Sequence, residues 1–384
     1  MADQKKQHYV PKLYMKLFTN LEERVNVFIA DTKKTISNAP YESHCYKDYY
    51  YGVDLVWENK LGAMESKWGV IFDKFNGESD FIPNYSEIDL IKKFALYQRH
   101  RALGNNEYLK EQTIQVTARC LKMQADYDNI PLSYEKIEEF ARNKQNEEFD
   151  TTFNLEMSDK IINDRNIDDL GFLIMNYNTD KKLIVGDNPI ILFNKFFIHG
   201  RGYRNMGLTI FFPITPRKLI VFYDAKMYPL YKNKKIVTST DEQEVEFLNA
   251  FQYISAEKIL LSDSPIAVDD LIKYKEHRNI TNRHNKTGII PSLIHVTTYK
   301  PSFFDCNLSF CELPQFVQDI PIQCREAAIR NYEKEWEEKF KQKETLLPAL
   351  YETSEKKFDI GSDLESYKRG LKNMTAFAQK YWKS

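Results

Sequence analysis

Gly171-Phe-Leu-Ile-Met-Asn-Tyr177, then Asn178-Thr-Asp-Lys181, then Lys182-Leu-Ile-Val-Gly-Asp187, is the stretch on which the fold turns. Two short apolar runs flank a polar tetrapeptide of turn-forming residues, and such runs read as a pair of strands. Upstream the spacing is helical for more than a hundred residues. Leu55, Leu61, Met64, Trp68, Ile71, Phe72 and Phe75 form an apolar stripe ending at Asn76, with Asp54 placed to cap it. Helices are predicted at 86–103, with Ile88, Ile91, Phe94, Ala95 and Leu96 on the buried side, and at 107–126 and 133–146. Residues 54–165 are thus read as almost wholly helical.

Downstream, 208–212 and 219–223 read as a second strand pair, broken by Pro213 and Pro216. A helix at 241–252, a strand at 258–262 and a helix at 267–275 follow. At the front of the chain, 11–19 reads as a helix opened by Pro11, 24–31 as a strand, and 32–52 as an ordered polar and aromatic loop. From Ile320 onward the chain reads as charged surface helices, notably across 333–344. The pattern is α+β: a helical N-terminal half, a mixed β-containing middle and C-terminal helices. Regular βαβ alternation is missing, which argues against a doubly wound enzyme. The division expected is a core over 1–280, helical at 54–165 and β-containing at 168–262, with a mainly helical extension over 281–384.

Composition narrows function by exclusion. The 384 residues are 42% hydrophobic and 28% charged, which is globular. With 54 basic and 55 acidic side chains the net charge is −1, so a generally cationic nucleic-acid binder is excluded, though a local basic groove is not. Apolar runs fall far below the roughly 20 residues of a membrane helix. The N-terminus has no apolar segment of the kind a cleaved signal needs, so the expected location is cytoplasmic and no membrane partner is expected. The five cysteines read as reduced thiols, since Cys306, Cys311 and Cys324 match no common zinc spacing and His295 does not complete one. No metal ligand set and no cofactor is named by the sequence. The 24 Tyr and 25 Phe suit a core with polar edges and also surfaces that stack on bases.

Several constellations could carry chemistry. His8 precedes the proline-opened helix, whose positive end lowers imidazole basicity and suits a general base. Gln98 continues the buried face of its helix, and Arg101, a turn on, offers a fork to a phosphate or carboxylate; a cationic last turn is the competing reading. Gly186-Asp187-Asn188-Pro189 follows an apolar strand and exposes a carboxylate and an amide where mixed folds place ligands, although such turns are also ordinary punctuation. Glu58 and Glu65, seven apart on one helix, could bind a cation or buttress an arginine, or form boundary ion pairs. Residues 194–207 interleave Phe196, Phe197 and Tyr203 with His199, Arg201 and Arg204, the mixture a single-strand nucleic-acid surface uses. Arg278 and His284 have the Arg-x5-His spacing of metal-independent HEPN ribonucleases.

Together these residues give a resemblance. Gln7-His8-Tyr-Val-Pro11 followed by Tyr14 and Phe18, Tyr50-Tyr-Gly52, Glu58 with Glu65, Gln98 with Arg101, Gly186-Asp-Asn-Pro189, Phe212-Pro-Ile-Thr-Pro216 and Leu248-Asn249 resemble a family of uncharacterised, mostly bacterial proteins that open on His-Tyr-Val-Pro. The likeness spans roughly 5–262. It implies that His8, Gln98, Arg101, Asp187, Asn188 and Asn249 recur together, and it brings no activity with it. Gly186 stands where a serine is common.

The expectation drawn is an effector hydrolase acting on nucleic acid, RNA favoured, or on a nucleotide, with a toxin-like or anti-phage role by analogy alone. His8 serves as base or acid, Arg101 clamps a phosphate, and Asp187 orients His8 or binds a metal. Gln98, Asn188, Asn249, Arg201 and Arg204 hold substrate. The alternative is a non-catalytic module binding nucleic acid or a partner protein, with the polar cluster as structural glue. Association with a partner protein or a second copy through the C-terminal helices fits either.

Overall fold

The structure, a computed structural model, describes residues 5–313 and Ile320, apart from 78–79, 165–166, 197–201, 204, 206, 226, 229–233, 282–284, 291–292 and 299–302. At its centre is a five-stranded sheet in the order β10-β5-β9-β8-β7. Its strands are β5 (Gly171–Tyr177), β7 (Ile191–Asn194), β8 (Leu208–Thr215), β9 (Lys218–Tyr223) and β10 (Ile236–Ser239). Neighbours are antiparallel except β10 and β5. The sheet is covered on both faces, which is why β8 and β9 read as unbroken apolar runs. Ile210, Phe212, Ile214, Ile220 and Phe222 face a helical layer, and Phe211, Leu219, Val221 and Tyr223 face the opposite way. Pro213 stays inside β8 because the register shifts between Pro213 and Thr215.

The helical layer contains α1 (Lys12–Met15), α2 (Val56–Gly77), α3 (Tyr85–Arg101) and α6 (Phe153–Asn163). The α2 stripe buries Leu61, Trp68, Ile71, Phe72 and Phe75, as its spacing predicts. Asn84 caps α3 through a reciprocal bond pair with Glu87. Between α3 and α6, α4 (Leu103–Tyr127) and α5 (Tyr134–Glu148) form a helical hairpin with a small core of its own around Ile114, Ala118 and Ile137. No helix among the described residues is long and apolar enough to cross a membrane.

A four-stranded sheet, ordered β3-β2-β11-β6, lies beside the first. It contains β2 (Arg24–Ile29), β3 (Lys34–Pro40), β6 (Val185–Gly186) and β11 (Ile259–Ser262). Two sequence expectations change here. Residues 32–52 are not all loop: β3 pairs with β2, and β4 (Tyr46–Asp48) pairs with β1 (Lys6–His8). β3 is an edge strand with all but one side chain exposed, so it has main-chain pairing and no apolar alternation to read. The runs at 171–177 and 182–187 are not hairpin partners either, since β5 and β6 belong to different sheets.

The chain crosses between the sheets after Tyr177, and α7 (Glu242–Ser255) accompanies the crossing. Val245, Leu248, Phe251 and Ile254 of α7 pack on the five-stranded sheet, while Tyr253 joins Phe28, Ile184 and Leu260 of the four-stranded one. Two short helices follow where one was expected, α8 (Val268–Ile272) and α9 (Lys275–Thr281), then the hairpin β12 (Asn285–Ile290) and β13 (Leu293–Thr298). Beyond the 1–280 boundary, Leu308, Phe310 and Cys311 are buried against the outer face of the central sheet. The helices expected past Ile320 lie outside the described residues.

Candidate functional site

Gln98 and Arg101 are both fully buried on α3, where Ile91, Phe94 and Ala95 put their helix face against the core. A buried guanidinium must satisfy up to five N–H donors. Arg101 donates from Nε to Gln98 Oε1 at 2.8 Å and from Nη1 to Glu65 Oε1 of α2 at 2.7 Å. Nη2 is buried and has no hydrogen-bond partner among the described residues. The other end of Gln98 donates to Tyr9 O at 3.0 Å, so one side chain ties Arg101 to the strand that carries His8. Gln7, fully buried, donates to Gly52 O and accepts from Tyr51 N, and Tyr51 OH returns to His8 O at 3.2 Å. Segments far apart in the chain, 7–9, 51–52, 58–65 and 98–101, thus converge.

The charges are arranged unevenly. His8 is half-buried, and burial lowers its pKa below 6.5, with Lys12 and Arg101 acting in the same direction against the Glu42 carbonyl. Its Nε2 lies 3.1 Å from Glu42 O. A carbonyl can only accept, so Nε2 carries the proton and Nδ1 of the neutral ring keeps its lone pair. Burial also raises the Glu58 carboxyl, the Glu65 charge adds to that, and Arg101 opposes it. An imidazole, two carboxylates and a guanidinium therefore form a mostly buried polar cluster between α2, α3 and the N-terminal strand. That combination can bind an anion and accept a proton.

The Asp-Asn-Pro turn comes within electrostatic range of this cluster, at Tyr9 and Cys45, but makes its hydrogen bonds to other segments. Asp187 is buried, and its carboxylate accepts from the main-chain N–H groups of Glu257, Lys258 and Ile259. Burial nonetheless pushes its pKa up to about 6, against those three donors. Asn188 donates to Ser255 O at 3.3 Å, and its Oδ1 is buried with no partner among the described residues. Asn249 accepts from Ile184 N and donates to Lys182 O, and Gln252 accepts from Gly186 N and donates to Pro189 O. Asn249, Gln252 and Ser255 recur every three residues on one face of α7. They serve the crossing chain much as a neighbouring strand would. Asp187 and Asn249 thus make their hydrogen bonds to main chain, and the orientation of His8 comes from Glu42.

Arg278 caps the end of α7, donating to Tyr253 O at 3.0 Å, Glu257 O at 2.7 Å, Ala256 O and the Asp31 carboxylate. His284, Arg201 and Arg204 lie outside the described residues. Gln7 and Tyr51 stand in the quoted motifs without a role assigned from sequence, and Glu42 was missed; the roles of all three depend on contacts across more than thirty residues. Also missed was His44, whose buried Nε2 has no partner among the described residues. Cys45, Cys306 and Cys311 are buried free thiols that burial raises. Among the described residues, no group of three or more His, Cys, Asp or Glu is placed to hold a metal ion.

Fold and site together define an α+β protein with a buried polar cluster assembled from its N-terminal strand and two helices of its core. Residues 6–265 match the family described as protein of unknown function (DUF4238), and the chain belongs to that family. No curated protein and no solved structure matches it.

Proposed function

We propose that the cluster around Arg101 binds a phosphate group and that the protein hydrolyses a phosphoester there, in nucleic acid, with RNA favoured, or in a nucleotide. The observation that carries this reading is Nη2 of a fully buried arginine, unpartnered among the described residues: an ionised donor without an acceptor is costly, and a phosphate oxygen would supply one once the side chains that seal it move aside. In this reading His8 Nδ1 takes the proton of the attacking water or ribose hydroxyl, and Arg101 offsets charge developing on the phosphoryl oxygens. Gln98 positions Arg101 relative to His8. Asp187, Asn188 and Asn249 hold the crossing segment in place. His8-Tyr-Val-Pro11 is taken as the motif that marks the family's site.

The test is cleavage of end-labelled RNA and of nucleoside phosphates by the purified chain, beside His8→Ala and Arg101→Lys. Loss of turnover by 100-fold or more, at an unchanged melting temperature for His8→Ala, supports hydrolysis. A wild type inert on every phosphoester removes it.

A second reading, a non-catalytic module that binds nucleic acid or a partner protein, is favoured by how much of the polar network ends on main chain. Gln7, Gln98, Asp187, Asn249 and Gln252 all bond to backbone groups. In that case His8→Ala and Gln98→Ala change stability and leave no turnover to lose.

A further inference from the structure

An open cavity of about 270 Å³ lies where the chain crosses between the two sheets. Its walls are the crossing segment 180–184, α7, the turn after β11 and α8. Ile184, Leu271 and Ser262 are buried at its base, while Asp180 and Ala267 at its mouth are exposed. Charges of both signs stand around the rim, all of them reached by solvent. Lys181 donates to Glu246 at 2.8 Å and to Asp270 at 3.0 Å, and Lys182 donates to Asp263 at 2.7 Å. An ammonium carries three protons, so among the described residues one stays uncommitted on Lys181 and two on Lys182. The Asp180 carboxylate takes no hydrogen bond among the described residues; only its main-chain N–H is engaged, by Glu242. Asn249 holds the crossing wall in place through Ile184 N and Lys182 O, so the cavity is shaped before anything enters it.

We propose that this cavity binds a free α-amino acid with an apolar side chain. The side chain enters against Ile184 and Leu271, the α-ammonium meets Asp180, and the α-carboxylate meets Lys182. A ligand that is apolar at one end and carries both charges at the other matches an apolar base under a rim of mixed sign. Ion pairs at a solvated rim add little strength, so the buried side chain sets the affinity and the two charges set which molecule is accepted. The volume falls below the roughly 300–1,000 Å³ of pockets that take drug-sized ligands, which suits one amino acid and not a peptide or a nucleotide. None of these residues belongs to the Arg101 cluster, so the site stands whether or not a phosphoester is cleaved there.

The experiment titrates the full chain calorimetrically with L-leucine and L-phenylalanine, beside L-alanine and two truncated forms of leucine. These are 3-methylbutylamine, which lacks the carboxylate, and 4-methylpentanoate, which lacks the amine. One site is expected, with leucine or phenylalanine binding at least tenfold tighter than alanine because three or more further carbons are buried. Both truncated forms are expected to bind at least fivefold more weakly than leucine. Asp180→Asn, at an exposed position, and Ala267→Trp, which fills the mouth, are each expected to weaken leucine fivefold or more at an unchanged melting temperature. No saturable binding of either amino acid overturns the site. A truncated form that binds as tightly as leucine overturns the doubly charged ligand. Leucine affinity unchanged in both variants puts any binding elsewhere on the chain and ends the assignment to this cavity.

Discussion

Arg101 is the residue whose replacement is most informative. Its guanidinium is fully buried between Gln98 and Glu65, so Arg101→Met leaves the Glu65 carboxylate without its partner and Gln98 Oε1 without a donor. A loss of about 3–5 kcal/mol in unfolding free energy is expected, read from denaturant midpoints. Arg101→Lys keeps the charge but not the fork, and a smaller loss of about 1–2 kcal/mol is expected. His44 gives a pH-dependent counterpart. Burial lowers its pKa, so below 6.5 the unfolded chain binds a proton that the folded chain resists. Stability is therefore lost as pH falls through 6.5 toward the folded pKa. His44→Leu removes both that loss and an unpartnered nitrogen, and at pH 7.5 it should change stability by no more than about 1 kcal/mol. The variant should gain on the wild type as pH drops from 7.5 to 5.5; an equal gap at both values would refute the assignment. The sequence made His8, Gln98 and Arg101 legible because each lies on or beside a periodic element. It could not show which acceptor each one meets.

At the scale of elements, α7 and the crossing segment form one unit. Gly186 sits where a Cβ would meet Ala256 Cβ at 3.1 Å, Gln252 O at 3.2 Å and Leu260 Cδ2 at 3.3 Å. Two of those three neighbours are a main-chain oxygen and a Cβ, which yield little. Gly186→Ser should therefore destabilise this chain by about 1–3 kcal/mol in thermal unfolding. Asp187→Asn leaves one side-chain oxygen to serve three main-chain donors, and a cost of about 2–4 kcal/mol is expected. The strand at 182–187 was visible as an apolar run, yet its partner was not. A polar turn tetrapeptide predicts a reversal of the chain, and it does not say whether the next strand returns to the same sheet. That choice is made by the Asn249, Gln252 and Ser255 face of α7, a stretch apart in sequence and in contact only after folding.

For the whole molecule, the two-sided burial of the central sheet determines the boundary of the folded unit. Phe310 lies 5.7 Å from Phe211, ring centre to ring centre, and Ser309 donates from N and Oγ to the buried Glu244 carboxylate. The outer face of the sheet is thus closed by residues beyond the segment that matches the family. Phe310→Ala should cost about 3–5 kcal/mol by calorimetry or denaturant unfolding, although it lies more than forty residues past that segment. By itself the sequence determined the α+β class, the helices from α2 to α5, the apolar strands and the residue types able to bind an anion. Those follow from local periodicity, capping and side-chain chemistry, which the chain carries residue by residue. Tertiary structure alone decided that β5 and β6 part company, that β3 is a strand, and that Glu65 faces Arg101. Each of these depends on which main-chain or charged group lies opposite, and that is set only when distant segments bury their apolar faces together.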